Sequence, residues 1–444
     1  MEKLGSDTKI DKSEINTKDL KKLSESSFLE MDEEQLKQNT PPKPLSYNEL
    51  VELIPINIPI EEKLKEFNMD KDGSLKIASK DLRDKQKAVL KKVFTQAAAK
   101  LLEGKNVVGL SLPVNIFQPR SSIERCCDLF RFFPYYMGKV QKSSDIKEQI
   151  KFITAAIVAA SQYQMNQWKP FNPILGETFQ GILDENTNIY VEHISHHPAI
   201  SYYLLIGKGW KCKGYFLYNA KIKPNKVVAY AENWNVINFD DGKEFKFCWP
   251  ALEMGNFILG TRKMAMVKNF VVKNEANKIK SMVKYNHEVK RRALGLLSQW
   301  KMNDLQGKLY YYDEEKEKSM IKKKWYDSLT NFEKMSDLKE EIENISGNWL
   351  EELKFNDKVY WNKNNNGEAV IQKPVEEPLP SSYRFREDLI WLSYKNEEEA
   401  QKWKILLEVQ QRKDRKIRQD GYKEIEKKNG KKKKGFFSMF SSQK

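Results

Sequence analysis

The spacing of apolar positions changes character along this chain. Residues 151 to 165, opening with Lys151-Phe152-Ile153-Thr154-Ala155-Ala156-Ile157-Val158-Ala159-Ala160, are apolar almost all round, which predicts a buried helix. From about Asn188 to Asn286 the pattern shortens to strand length. Ile200 to Ile206, Tyr215 to Tyr218, Val227 to Tyr230 and Asn269 to Val272 are Tyr/Val/Ile-rich, with Gly, Asn and Asp turns between them. Such spacing predicts an antiparallel meander, hence a barrel or curled sheet, and a barrel of many strands encloses space for a lipid. Upstream, Leu82 to about Glu103 reads as a helix stopped by Gly104, and Ser122-Ile123-Glu124-Arg125 opens another under a serine cap. Residues 287–345 are charged and mixed, Ile345 to Trp349 and Val359 to Trp361 read as strands, and beyond Pro380 the character turns helical.

The ends differ from this middle. Residues 1–45 are polar, charged and poor in aromatics, which predicts a disordered leader closing on Pro41-Pro42-Lys43-Pro44. Within it, Ser26-Ser27-Phe28-Leu29-Glu30-Met31-Asp32-Glu33-Glu34 is similar to short acidic-aromatic motifs that dock on endoplasmic-reticulum receptor proteins, with Leu29 in place of the second aromatic. The competing reading is an ordinary acidic linker. The chain closes on Lys431-Lys432-Lys433-Lys434-Gly435-Phe436-Phe437-Ser438-Met439-Phe440, a basic-aromatic run suited to an anionic membrane surface. Across 444 residues the net charge is +15, so an anionic partner is expected, nucleic acid or an acidic membrane face. No stretch reaches a membrane-spanning length, and the N-terminal residues do not resemble a secretory signal.

Several residues are candidates for chemistry. Of the four histidines, three fall in Glu192-His193-Ile194-Ser195-His196-His197-Pro198-Ala199. Paired imidazoles can donate to an anionic oxygen or bind a metal, or sit half-buried against carbonyls. Metal is disfavoured because no third ligand lies nearby at a known spacing. The run Lys169-Pro170-Phe171-Asn172-Pro173-Ile174-Leu175-Gly176-Glu177-Thr178-Phe179 is stiffened by its prolines, so Lys169 and Asn172 are preorganised anion donors or, more blandly, parts of a structural loop. Lys404, Glu408 and Arg412 share one helical stripe, which by itself reads as a solvated salt-bridge ladder. Asn68, Asp70, Asp72 and Gly73 imitate half of a calcium loop, but Ser79 stands where the closing glutamate belongs, so a plain Asp-Gly turn between helices is favoured. Cys126, Cys127, Cys212 and Cys248 lack paired spacing and read as reduced core thiols. No nucleophile elbow, phosphate loop or metal-ligand set is present, so the residues describe a binding protein, without cofactor, rather than an enzyme.

Together, the motifs resemble the lipid-binding domain of the oxysterol-binding-protein-related family. That family's signature run, Glu-Gln-Val-Ser-His-His-Pro-Pro, appears as Glu192 to Ala199, with His193 for the glutamine and Ala199 for the second proline. Lys169 to Phe179, Leu112-Pro113 through Arg120-Ser121, and the Lys404, Glu408, Arg412 stripe occur in the family's order; Leu379 to Asp388 fits only in part. The resemblance implies an α+β, mainly β fold: a large near-closed antiparallel β-barrel with a lipid tunnel, an N-terminal lid and helices, and a C-terminal helical subdomain. It implies a leader at 1–45, a helical or linker segment at 46–104, the lipid-binding domain at 105–420 and a basic-aromatic tail at 421–444. It further implies a peripheral, cytoplasmic lipid transfer protein that exchanges phosphatidylinositol 4-phosphate for sterol or phosphatidylserine. Lys169, Asn172, His196, His197, Lys404 and Arg412 would hold the headgroup and Glu408 would orient the cations. Nucleic acid has no place in that reading. A lipid sensor or scaffold without net transfer is the rival.

Overall fold

The computed structural model describes residues 41–53, 64–89, 112–166, 168–196, 198–223, 225–256, 260–285, 301–321, 334–364, 369–370 and 372–428. The chain divides into two units, Met1–Lys43 and Pro44–Lys444, and the second holds every helix and strand among the described residues. The acidic-aromatic stretch Ser26–Glu34, the tail 431–440 and His197 lie outside the described residues.

The core of the fold is a large, mainly antiparallel sheet, with eighteen strands among the described residues. It opens with a hairpin, β1 (Phe67–Met69) and β2 (Leu75–Ile77), while β3 (Phe117–Ser121) and β4 (Lys169–Phe171) form a separate parallel pair. A meander comes next: β5 (Thr178–Asp184), β6 (Thr187–His196), β7 (Ala199–Gly207) and β8 (Trp210–Lys223). The fourteen-residue β8 splits the sheet. Its first residues pair with β10 (Asn235–Phe239) and its last with β9 (Lys226–Ala231). One branch runs through β11 (Glu244–Phe247), β14 (Asn269–Asn274), β15 (Ile279–Tyr285), β16 (Asp304–Tyr312), β17 (Leu338–Asn348), β18 (Glu352–Phe355) and β19 (Lys358–Asn362). The other returns through β12 (Ala251–Gly255) and β13 (Lys263–Val267) to β2, and β20 (Lys373–Pro374) edges β5. The described ladders do not join β19 to β20.

Alternation drives this arrangement. In β6 the inward positions Thr187, Ile189, Val191 and His193 are buried while their neighbours are exposed, the pattern of a sheet with one wet face. Helix α1 (Tyr47–Leu53), a helical stretch at 80–89 and α2 (Ser122–Arg125) precede α3 (Phe133–Lys142) and α4 (Ile146–Ala160). Asp145 caps α4 by accepting the Lys147 N–H at 2.9 Å, and its Ile/Ala/Val body packs on β14, β15 and β19, as its all-round apolar character predicts. Thr154 reaches the Ser281 hydroxyl at 3.0 Å, so that buried hydroxyl is satisfied. Gly307 has no substitute where β15 and β16 meet, because a Cβ there would stand 2.0 Å from the Met282 carbonyl oxygen. All four cysteines are free and buried, as core thiols should be.

Three local expectations change. The segment 46–104, read as helical or linker, is helical at 80–89 but also contains the β1–β2 hairpin, because Phe67, Leu75 and Ile77 face inward and Gly73 turns at φ +81°. The Asn68–Ser79 loop thus joins strands, not helices. Lys263 Nζ lies 2.7 Å from Asp70 and 2.5 Å from Asp72, so an ammonium neutralises the carboxylates a calcium ion would need. The charged 287–345 stretch contains β16, the helix α5 (Glu314–Met320) and most of β17. Toward the C-terminus, α6 (Glu387–Ser393) and the long α7 (Glu397–Lys428) are the helices expected beyond Pro380.

Candidate functional site

The rigid loop from Lys169 to Glu177 is built on β4, whose Phe171 packs against Phe117 of β3. Gly176 turns the chain at φ +83° and donates its N–H to the His193 carbonyl at 2.9 Å, while the His193 N–H donates to the Glu177 carbonyl at 2.9 Å. The buried Glu177 carboxylate accepts from Ser121, from the Ile174 N–H at 2.9 Å and from Arg386 at 2.8 Å. Burial pushes this carboxyl above the ordinary glutamate range, and Arg386 opposes that rise. Arg386 also forks onto Asp388 at 3.1 and 2.8 Å and donates to the Asn172 carbonyl at 2.7 Å. The loop is thus pinned from behind by a guanidinium 214 residues downstream of Asn172. The serine expected to cap α2 precedes it as Ser121, and its hydroxyl goes to Glu177 instead, because a buried carboxylate outcompetes a helix N–H.

In front of that scaffold, cations gather. Lys169 Nζ donates to Asn172 Oδ1 at 2.6 Å and to the Pro170 carbonyl at 3.0 Å, and sits 4.5 Å from the Phe117 ring centre. Lys404 of α7 lies 5.6 Å from the same ring centre and donates to Glu408 at 2.5 Å. Phe117 therefore serves two ammonium groups. Lys404 is 5% exposed. Lys169 keeps part of its surface in contact with solvent, yet the protein packed about its ammonium pulls the pKa down to about 7. Burial is the main cause; Lys404 and Arg386 add like-charge repulsion, and Glu408 offsets part of it. A site in which positive charge is crowded to that point favours an entering anion.

The histidines join this loop from β6. Residues three apart on a regular strand face opposite ways, but a register shift between His193 and Ser195 changes the phase. His193 and His196 thereby meet, Nε2 to Nδ1 at 3.4 Å, with rings at 80°. Of the predicted residues, the structure brings together Lys169, Asn172, Lys404 and Glu408, and ties His196 to their loop through His193. Arg412 lies about 12 Å further along α7, exposed, with no hydrogen bond or ion pair among the described residues. Sequence patterns do not mark Phe117, Ser121, Glu177 and Arg386 as site residues, although each lies inside a family-like run. The available signal is charge and aromaticity in segments otherwise set by packing. His193, which departs from the family's signature, sits closer to the site than its sequence suggests. Among the described residues, no group of three His, Cys, Asp or Glu side chains could hold a metal ion.

A mainly antiparallel sheet with a partly desolvated cationic cluster at a rigid loop is an arrangement suited to an anionic ligand. The family model described as Oxysterol-binding protein matches residues 96–442, so the chain belongs to the oxysterol-binding protein family, a family of lipid-binding proteins rather than enzymes. It is 27% identical over 336 residues to Oxysterol-binding protein 9 of Dictyostelium discoideum, covering 75% of this chain and 76% of that protein. It is 28% identical over 161 residues to Oxysterol-binding protein-related protein 1D of Arabidopsis thaliana, which covers 35% of this chain and only 20% of that protein. Among solved structures, the Osh3 ORD from Saccharomyces cerevisiae in complex with PI(4)P aligns with TM-score 0.55 at 21% identity, over 72% of this chain and 84% of that one. The Osh1 ORD domain in complex with cholesterol aligns with TM-score 0.53 at 16% identity, over 70% and 76%. These likenesses show the fold.

Proposed function

We propose that this chain binds phosphatidylinositol 4-phosphate by its headgroup and exchanges it between membranes for a second lipid, sterol or phosphatidylserine. The observation that carries this reading is the gathering of the Lys169 and Lys404 ammonium groups over the Phe117 ring, at 4.5 and 5.6 Å, where burial, Lys404 and Arg386 pull the Lys169 pKa down. A phosphomonoester carries nearly two negative charges and accepts at three oxygens, so it relieves that repulsion through charge-assisted hydrogen bonds. Lys169, Asn172, His196, His197, Lys404 and Arg412 supply donors, Arg412 by a movement of its long side chain, and Glu408 orients Lys404. Two other proteins of similar fold were solved with lipids of the kinds this reading assigns, Osh3 with PI(4)P and Osh1 with cholesterol. A binding protein only equilibrates, so net direction follows the phosphoinositide gradient.

The domain boundaries that go with this reading are 1–45, 46–104, 105–420 and 421–444. No helix among the described residues is long and apolar enough to cross a membrane. Reversible docking on an anionic membrane surface falls to the +15 net charge and the Lys431–Phe440 tail, and Phe28-Leu29 with its acidic run would engage an endoplasmic-reticulum receptor. The test is extraction of phosphatidylinositol 4-phosphate from donor vesicles and delivery to acceptors containing sterol or phosphatidylserine, native against His196→Ala/His197→Ala. Extraction and delivery lost in the double variant support the reading. Binding without delivery would make the protein a sensor or scaffold, and no extraction by the folded native protein would end the proposal.

A further inference from the structure

On a helix of 3.6 residues per turn, positions seven apart differ by about 20° around the axis and positions eight apart by about 80°. Gln411 therefore continues the face of α7 that carries Lys404, and Arg412 turns off it. Burial agrees: Lys404 is 5% exposed and Gln411 7%, whereas Arg412 is exposed. Gln411 stands about 10 Å beyond Lys404 along the axis, and helical side chains lean back toward the N-terminus. Its carboxamide is thus directed toward the Lys404–Glu408 pair. Its Nε2 has no hydrogen-bond partner among the described residues. A buried amide left unpaired costs stability and calls for an explanation, and a ligand oxygen is the partner that the neighbouring site supplies. Gln401, just under one turn before Lys404, shows the contrast. Its Oε1 accepts the Val114 N–H at 2.9 Å and ties α7 to the stretch before β3.

From this placement we infer that Gln411 is a specificity-determining residue whose carboxamide hydrogen-bonds the inositol ring of the headgroup. The inference rests on the headgroup reading proposed above. With α7 covered on the Gln401 side, a ligand whose phosphate is anchored at Lys404 extends along the helix in the other direction, toward Gln411. A carboxamide carries donors and an acceptor on one planar group, which matches neighbouring ring hydroxyls that each give and take a hydrogen bond. An ammonium is a point charge with donors alone. The two kinds of side chain therefore divide the recognition. Lys169 and Lys404 take the phosphate charge, whatever carries it, and Gln411 distinguishes an inositol phosphate from any other phosphomonoester lipid. Phosphatidic acid is the natural comparison, because it presents a phosphomonoester without the ring.

The experiment uses the full chain with phosphatidylcholine vesicles that carry either phosphatidylinositol 4-phosphate or phosphatidic acid at matched total charge. Gln411→Met keeps the length of the side chain and removes its polar atoms. Binding to the phosphoinositide vesicles should weaken by about three- to tenfold, the worth of a neutral hydrogen bond, while binding to phosphatidic acid stays as in the native protein. The melting temperature without ligand should be equal or higher, because the substitution breaks no bond within the protein and removes an unpaired buried amide. Gln401→Met is the structural control: it loses the Val114 bond, so its melting temperature should fall while its preference between the two lipids stays native. Unchanged phosphoinositide affinity in Gln411→Met, an equal loss for both lipids, or a lowered melting temperature would overturn the inference. Native protein that binds both lipids alike would overturn it and leave the headgroup reading standing. Native protein that binds neither would end the headgroup reading, and the inference with it.

Discussion

Lys169 makes headgroup affinity depend on pH in a direction and size set by the structure. Its ammonium has a pKa of about 7, lowered by burial first and then by Lys404 and Arg386. Only the protonated form attracts a phosphate, so at neutral pH about half of the ligand-free molecules must take up a proton before binding. A bound dianion returns the lysine toward its ordinary pKa. The sign is therefore fixed: affinity falls as pH rises above the ligand-free pKa. With the bound-state value well above the range studied, affinity should be about fivefold weaker at pH 8 than at pH 7, and about fiftyfold weaker at pH 9. Below about pH 6 the phosphomonoester itself gains a proton, which closes the window from the other side. Titration calorimetry in buffers of different ionisation enthalpy reads the proton directly, and uptake of about half a proton per headgroup is expected at pH 7. Lys169→Arg, charged throughout, should flatten the alkaline limb. A flat profile in the native protein from neutral to alkaline pH, or proton release on binding, would refute the reasoning.

Three further outcomes test the frame that holds the site. Arg386→Met leaves the Glu177 and Asp388 carboxylates buried without their guanidinium, and should cost about 3–5 kcal/mol in denaturant unfolding. Burial already raises the Glu177 pKa, and losing Arg386 raises it further, so that group's stabilisation is present below its unfolded pKa and lost as pH climbs through the folded value. The deficit must grow from acid to neutral pH; a deficit that shrinks would contradict it. Calcium should leave the melting temperature unchanged, because Lys263 sits between Asp70 and Asp72; a calcium-dependent rise would show the loop to be a metal site. Gly307→Ala sets a methyl against the Met282 carbonyl and should destabilise by about 3 kcal/mol, seen as a lowered melting temperature, whereas a native-like value would mean β15 and β16 separate freely.

How much of the fold and the site is legible in the sequence depends on whether neighbours in sequence are neighbours in space. Strands such as β7 and β14 are readable because burial on one or both faces leaves Tyr/Val/Ile-rich runs. Most of the long β17 is not, and only its Ile345–Asn348 end reads as a strand. Its Lys-Glu-rich residues are mostly outward, and Lys308 of β16 pairs with Glu341 across the ladder, so a strand with a wet face looks like a charged linker. The Asp70-to-Gly73 turn imitates a calcium loop because its partner, Lys263, comes from a strand far along the chain. The same holds at the site. Lys169, Asn172 and the Lys404–Glu408 pair are visible as motifs, while Arg386 is meaningful only once folding brings it under Asn172 and Glu177. His193 looks peripheral because a regular strand would point it away from His196, and no local pattern announces the bulge.

Equilibrium binding of phosphatidylinositol 4-phosphate by Lys169→Met/Lys404→Met protein is the most direct test of the central claim. The exposed Lys413→Met variant serves as a charge control. The double variant should keep its fold and lose at least about a hundredfold in affinity, since two charge-assisted contacts go at once, while the control stays near native. Binding retained by the double variant, or lost equally in the control, would mean that the headgroup is held elsewhere or only by diffuse charge.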